Sequence, residues 1–149
     1  MSKKGTASIT VLVVDDEELD RTNASVILRA EGYNVLQAES YTDAMAVFDL
    51  NRNSLRFLVA DVSLPDGNGC ALAIAIQKEI PDLRVLFVSG HVGAEVCKYY
   101  GLEVAALHFL RKPYDAVELA TRVREILTGN QPRPRLLAPK ASAASGEAV

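Results

Sequence analysis

The sequence predicts a doubly wound α/β domain, and three observations carry that prediction. Five short apolar runs alternate with helical patterns: "ITVLVV" (9–14), "YNVLQA" (33–38), "RFLVA" (56–60), "RVLFVS" (84–89) and "ALHFLR" (106–111). The first, third and fourth runs are nearly continuous in apolar residues, as strands covered on both faces of a parallel sheet must be. The first, third, fourth and fifth end in polar residues, at the edge where open α/β sheets bind ligands. Right-handed crossovers leave two common strand orders, 3-2-1-4-5 and 2-1-3-4-5.

The helices follow in turn. Residues 18–30 place Leu19, Val26, Ile27 and Ala30 on one side, and Gly32 supplies the stop. Ser40 opens the second helix with Asp43 as a capping-box acid, after which Ala44, Val47 and Phe48 repeat at helical spacing. Leu72, Ala73, Ile76 and Ile80 mark the third over 70–80, which Pro81 ends. A fourth is expected over 93–100, and a fifth over 115–127 from Ala116, Ala120, Val123 and Leu127.

Composition bounds the rest. A chain of 149 residues, 49% hydrophobic and 23% charged, is expected to form one globular domain with its own core. No apolar run approaches the roughly 20 residues that span a bilayer. The start, "MSKKGTASIT", has no apolar stretch or cleavage site of a signal peptide, so a cytoplasmic location is expected. Cys70 and Cys97 form no disulfide framework and no metal-ligand spacing; they read as packed or half-exposed thiols in a reducing compartment. The net charge of −3 argues against binding nucleic acid by the domain's own field. Charge is uneven: residues 129–149 hold Arg133, Arg135 and Lys140 against Glu147, net +2, which leaves −5 for the rest. That segment, rich in Pro, Ala and Ser, reads as a flexible tail, and 1–8 as an N-terminal extension to a domain over 9–128.

The stretch "VLVVDDEELD" (11–20) runs an apolar strand straight into acids. Asp15 and Asp16 follow the first strand, Asp61 the third, Ser89 the fourth, and Lys112 with Pro113 the fifth. In the 2-1-3-4-5 order the first and third strands are neighbours, so three carboxylates meet at the switch point. They repel one another, and a divalent cation relieves the repulsion. Mg²⁺ takes oxygen ligands and commonly binds one or two carboxylates beside a phosphate. An Asp can also act as a nucleophile toward phosphorus, with a metal, a lysine and a hydroxyl neutralising the transferred group.

The ordered set "VVDDEE", "LVADVSLPDGNG", "FVSGH" and "HFLRKPY" resembles the receiver domain of two-component response regulators, over about residues 9–128. The resemblance implies a flavodoxin-like sheet in the 2-1-3-4-5 order with helices on both faces. It implies Asp61 as phosphoacceptor, Mg²⁺ held by Asp15, Asp16, Asp61 and the backbone carbonyl of Ser63, and Ser89 and Lys112 as the groups that bind the phosphoryl oxygens. Phe109 takes the place of the aromatic switch, without the hydroxyl some members carry, alongside Ser89. Pro113 makes a Lys-Pro bond that is often cis in the family, and Ser63 and His91 occupy positions that tune phosphate lifetime. The implied donor is a sensor histidine kinase or phosphotransfer protein docking on the first helix. The implied output is altered protein binding through the fourth helix, fifth strand and fifth helix, a face that also allows a homodimer. Such a chain is not an enzyme beyond its own phosphoryl transfer and autodephosphorylation. About 20 tail residues cannot form a DNA-binding domain, so the reading is of a stand-alone receiver with an unidentified protein partner.

Each residue also has a plainer reading. Asp15 and Asp16 could cap the first helix, as Glu17 and Glu18 are expected to do and no more. Asp61 alone would be a turn residue, Ser89 a loop hydroxyl, Lys112 a solvated charge, and Phe109 a core aromatic. His108 reads as a half-buried strand residue, Gly67 and Gly69 as turn formers, and Tyr99, Tyr100 and Tyr114 as packing or surface residues. A haloacid-dehalogenase-like phosphatase would need D-x-D-x-T after the first strand, which Asp15, Asp16 and Glu17 do not supply. A receiver fold acting without phosphorylation, or a receiver cut from a longer regulator, are the remaining alternatives.

Overall fold

A computed structural model describes residues 8–90, 96–98 and 107–129. Five parallel strands form the central sheet: β1 (Thr10–Val14), β2 (Asn34–Ala38), β3 (Leu55–Asp61), β4 (Arg84–Ser89) and β5 (Phe109–Arg111), in the order β2-β1-β3-β4-β5. The helices are α1 (Glu18–Ala30), α2 (Tyr41–Leu50), α3 (Gly69–Glu79) and a last helix, Ala116–Thr128. Residues 96–98 are helical; the rest of the expected fourth helix lies outside the described residues, as do 1–7 and 130–149. Between β3 and α3, Ser63–Leu64 pairs antiparallel with Gly67–Asn68.

The continuous apolar strands are buried on both sides, every residue of β1 and all of β3 except Arg56. Alternate residues feed two cores. Leu12, Val14, Leu58, Ala60, Val85 and Phe87 pack with residues of α2 and α3 on one face. Val11, Val13, Phe57, Val59, Leu86 and Val88 pack with α1 and the last helix on the other. One irregularity matters to the sheet's edge. The β1–β3 register slips by one residue between Thr10 and Val11, so that Ala60 lies opposite Val14.

Three expectations need correction. On α1 the core-facing residues are Ala24, Ser25 and Leu28, whereas Leu19 and Val26 are 84% and 58% exposed and Ala30 is exposed too. Ser25 is tolerated inside because its hydroxyl donates to the Arg21 carbonyl at 2.8 Å. At α2, Ser40 caps as expected by accepting from Asp43 N–H, but the Asp43 carboxylate accepts from Glu39 N–H. The complete capping box belongs instead to the last helix, between Asp115 and Glu118. Finally, Cys70 and Cys97 are joined as a disulfide, fully buried in the α2–α3 core, with Cα atoms 5.7 Å apart.

Candidate functional site

Strand register builds the site. Val14 pairs with Ala60, so Asp15 and Asp61, each one residue further on, lie side by side at the carboxyl edge of the sheet. Across β3, Asp61 pairs with Val88, which sets Ser89 one step beyond it, and Ser89 pairs with Arg111, which sets Lys112 one step beyond that. The four strand ends thus deliver two acids, a hydroxyl and a lysine to one edge. Asp15 and Asp61 are buried, Asp16 is exposed, and Ser89 is half-buried.

Lys112 organises the carboxylates. Its Nζ donates to Asp61 Oδ2 at 2.7 Å, to Asp15 Oδ2 at 2.8 Å and to Asp20 Oδ2 at 3.1 Å. The other oxygens are held by backbone: Asp15 Oδ1 accepts from Glu17 N–H, and Asp61 Oδ1 from Ser63 N–H. Arg21 donates to the Asp15 carbonyl at 3.0 Å, tying α1 to the end of β1. Burial pushes the Asp15 carboxyl up, and the bonds from Lys112 and Glu17 offset only part of that rise. Burial acts against the Lys112 charge as well, but the hydrogen bonds and charges of Asp15 and Asp61 outweigh it and hold the ammonium above its ordinary range. The lysine is therefore fully charged near neutral pH.

The backbone approaches the cluster closely. A Cβ on Gly69 would stand 2.4 Å from the Asp61 carbonyl oxygen, so only glycine fits where α3 starts against the end of β3. Gly67 faces Tyr41, whose ring lies 3.1 Å from the place a Cβ would take. Both glycines therefore answer to close approach more than to turn geometry. The Lys112–Pro113 bond is cis. Phe109 pairs with Phe87 across the β4–β5 ladder, and their ring centroids are 5.5 Å apart. His108 is half-buried just before β5, its carbonyl accepting from Phe87 N–H; burial and the nearby Arg122 charge lower its pKa.

The donor set suits a hard divalent cation. Asp15, Asp16 and Asp61 each offer an oxygen within 4.8 Å of the others, with no sulfur or imidazole among them. Of the residues read from sequence, Asp15, Asp16, Asp61 and Lys112 converge directly. Ser89 adjoins them, Ser63 joins through its N–H, and Phe109 sits on the neighbouring core face. His91, Tyr99 and Tyr100 lie outside the described residues. Two participants had not been singled out as site residues. Asp20 is the third partner of Lys112, and Tyr114 lines a cleft of about 430 Å³ with Asp20, Asn23, Lys112 and Pro113. Burial raises the Tyr114 pKa to about 12. Both lie within a few residues of motif positions, the one signal that could have flagged them.

The sheet order and the acid-and-lysine cluster at its carboxyl edge are those of a receiver. Residues 11–124 match the family model of the response regulator receiver domain, and the chain belongs to that family. It is 32% identical over 120 residues to the sensor kinase CckA of Brucella abortus, covering 80% of this chain and 13% of that one. It is 30% identical over 118 residues to the aerobic respiration control protein ArcA of Escherichia coli, covering 79% of this chain and 48% of that one. Among solved structures, the non-phosphorylated HemR receiver domain of Leptospira biflexa superposes with a TM-score of 0.69 at 30% identity, covering 83% of this chain and 98% of that one. The chain thus spans about half the length of the respiration control protein and a small part of the kinase. No described helix is long and apolar enough to cross a membrane.

Proposed function

We propose that this receiver, taken as residues 9–128, accepts a phosphoryl group on Asp61 from the phosphohistidine of a sensor kinase or phosphotransfer protein. The observation that carries this reading is the Lys112 ammonium bonded to both Asp15 and Asp61, at 2.8 and 2.7 Å, beside a third acid at the sheet's switch point. An Asp61 carboxylate oxygen attacks phosphorus, the P–N bond to the donor imidazole breaks, and the imidazole leaves with the bond's electron pair. Asp15, Asp16 and Asp61, with the Ser63 carbonyl, would hold Mg²⁺, which supplies charge neutralisation to the transferred oxygens. Lys112 keeps its charge at the site throughout, and the Ser89 hydroxyl donates to a phosphoryl oxygen once the group is in place. The acyl phosphate is a new anion, and Ser89, Lys112 and the adjoining Phe109 are the groups that answer it. Their movement alters the face of β5 and the last helix, through which a partner protein or a second copy binds.

The test is intact mass after incubation with Mg²⁺ and acetyl phosphate, for the wild type and Asp61→Asn. One phosphoryl adduct, lost in the variant and with chelator, supports the reading. Absence of any adduct together with no binding of fluoroberyllate would leave a receiver fold that acts without phosphorylation.

A further inference from the structure

Asp20 is the member of the lysine's cage to which the family resemblance gives no role. It lies in the first turn of α1, where an acid is ordinarily accounted for by the helix dipole alone. Its Oδ2 nonetheless reaches Lys112 Nζ at 3.1 Å across a sequence separation of 92 residues. An ammonium has three N–H donors, and Asp15, Asp20 and Asp61 take all of them. The three partners are not equivalent. The side chains of Asp15 and Asp61 are 4% and 11% exposed and belong to the oxygen cluster with Asp16. That of Asp20 is 48% exposed and stands outside the cluster.

A divalent cation bound by the cluster would draw on two of the carboxylates that now hold Lys112, and would bring a second positive charge near the ammonium. The geometry points to Asp20 as a positioning residue that keeps Lys112 paired at the site when Asp15 and Asp61 are committed elsewhere, and yields it to a phosphoryl group on Asp61. This rests on the function proposed above. Two effects of opposite sign follow. Without the Asp20 charge, Lys112 is less well balanced and a divalent cation meets more repulsion. Without it, too, one fewer carboxylate competes with a phosphoryl oxygen for the lysine. A half-exposed ion pair is screened, so each effect amounts to about two- to fivefold in affinity.

The experiment measures two dissociation constants on the full chain for the wild type, Asp20→Asn and Asp20→Glu. Mg²⁺ is titrated by amide NMR, then fluoroberyllate is titrated at saturating Mg²⁺ by fluorine NMR. Asp20→Asn is expected to weaken Mg²⁺ about two- to fivefold and tighten fluoroberyllate by a similar factor, with Asp20→Glu returning both toward wild type. Any pattern other than opposite shifts overturns the inference: a joint loss marks local damage, and no change leaves Asp20 a plain helix acid. A wild-type protein that binds neither probe overturns the function proposed for the site, and the role of Asp20 with it.

Discussion

Lys112 Nζ lies 2.7 Å from Asp61 Oδ2 and so ties together β3 and β5, two strands that are separated in the sheet by β4. The same ammonium separates two buried acids, Asp15 and Asp61. Replacing it by Met leaves those carboxylates facing one another without a cation. Lys112→Met is expected to lower unfolding stability by about 2–3 kcal/mol, less than a fully buried broken pair costs because the lysine side chain is 19% exposed. Added Mg²⁺, bound by the acids as proposed, should recover part of the loss by favouring the folded state. Urea unfolding with and without Mg²⁺ checks both, and a variant as stable as wild type without metal would contradict the first.

Gly69 and Gly90 make a matched pair for substitution by alanine. At Gly69 the new methyl would lie 2.4 Å from the Asp61 carbonyl oxygen and 3.2 Å from Val62 Cα, both backbone atoms that cannot swing aside. Gly69→Ala should cost about 1–3 kcal/mol or more and slow phosphorylation by shifting Asp61. Among the described residues Gly90 has nothing within 4 Å of its Cβ position, so Gly90→Ala should change stability by no more than about 0.5 kcal/mol. Thermal melts and the initial rate with acetyl phosphate read the contrast.

The alkaline limb of the stability profile should carry the mark of Tyr114. Its folded pKa of about 12 exceeds the ordinary 10.0 because burial disfavours the phenolate. Between those values the unfolded chain loses its proton before the folded one does. The tyrosine's contribution is thus complete below pH 10 and is lost as pH rises toward 12. Lys112, raised for a different reason, loses its own contribution in the same direction above its unfolded value of 10.5. Tyr114→Phe is expected to flatten the decline measured by chemical unfolding above pH 10, while leaving the profile near neutrality unchanged.

The bond between Cys70 and Cys97 closes a loop with a sequence separation of 27. Loop-closure entropy puts its contribution at about 3–4 kcal/mol. A thiol count on unfolded protein should find no free thiol without reductant and two with it. Reductant, or Cys97→Ser, should lower the melting temperature, and equal melts with and without reductant would contradict the stabilising role.

What could be read from residues alone depended on how local the cause was. β1, β3 and β4 were legible because burial on both faces forces a continuous apolar run, and the strand ends then fixed where Asp15, Asp61, Ser89 and Lys112 must stand. The buried face of α1 was misread because Leu19 and Val26 are the larger apolar residues, while the helix packs on the sheet through small ones, Ala24 and Ser25, beside Leu28. Small residues bring a helix close and leave little hydrophobic signal. The partnership of Asp20 with Lys112 and that of Cys70 with Cys97 depend on segments converging from far apart in the chain, and no local pattern records either.

The platform under Asp61 has a mechanical consequence. β3 is hydrogen-bonded on both sides along the sheet, Val62 N–H continues to Val88, and Gly69 N–H returns to the Val62 carbonyl at 2.8 Å. β5, by contrast, is three residues long and, among the described residues, paired along one edge only. Asp61 therefore ends a strand paired on both sides, and Lys112 follows a shorter strand at the sheet's margin. If Asp61 takes a phosphoryl group as proposed, a push there would have little room to travel back through its own strand and would pass outward along the sheet, toward β5, like the load on an anvil passing into the lighter tool that meets it.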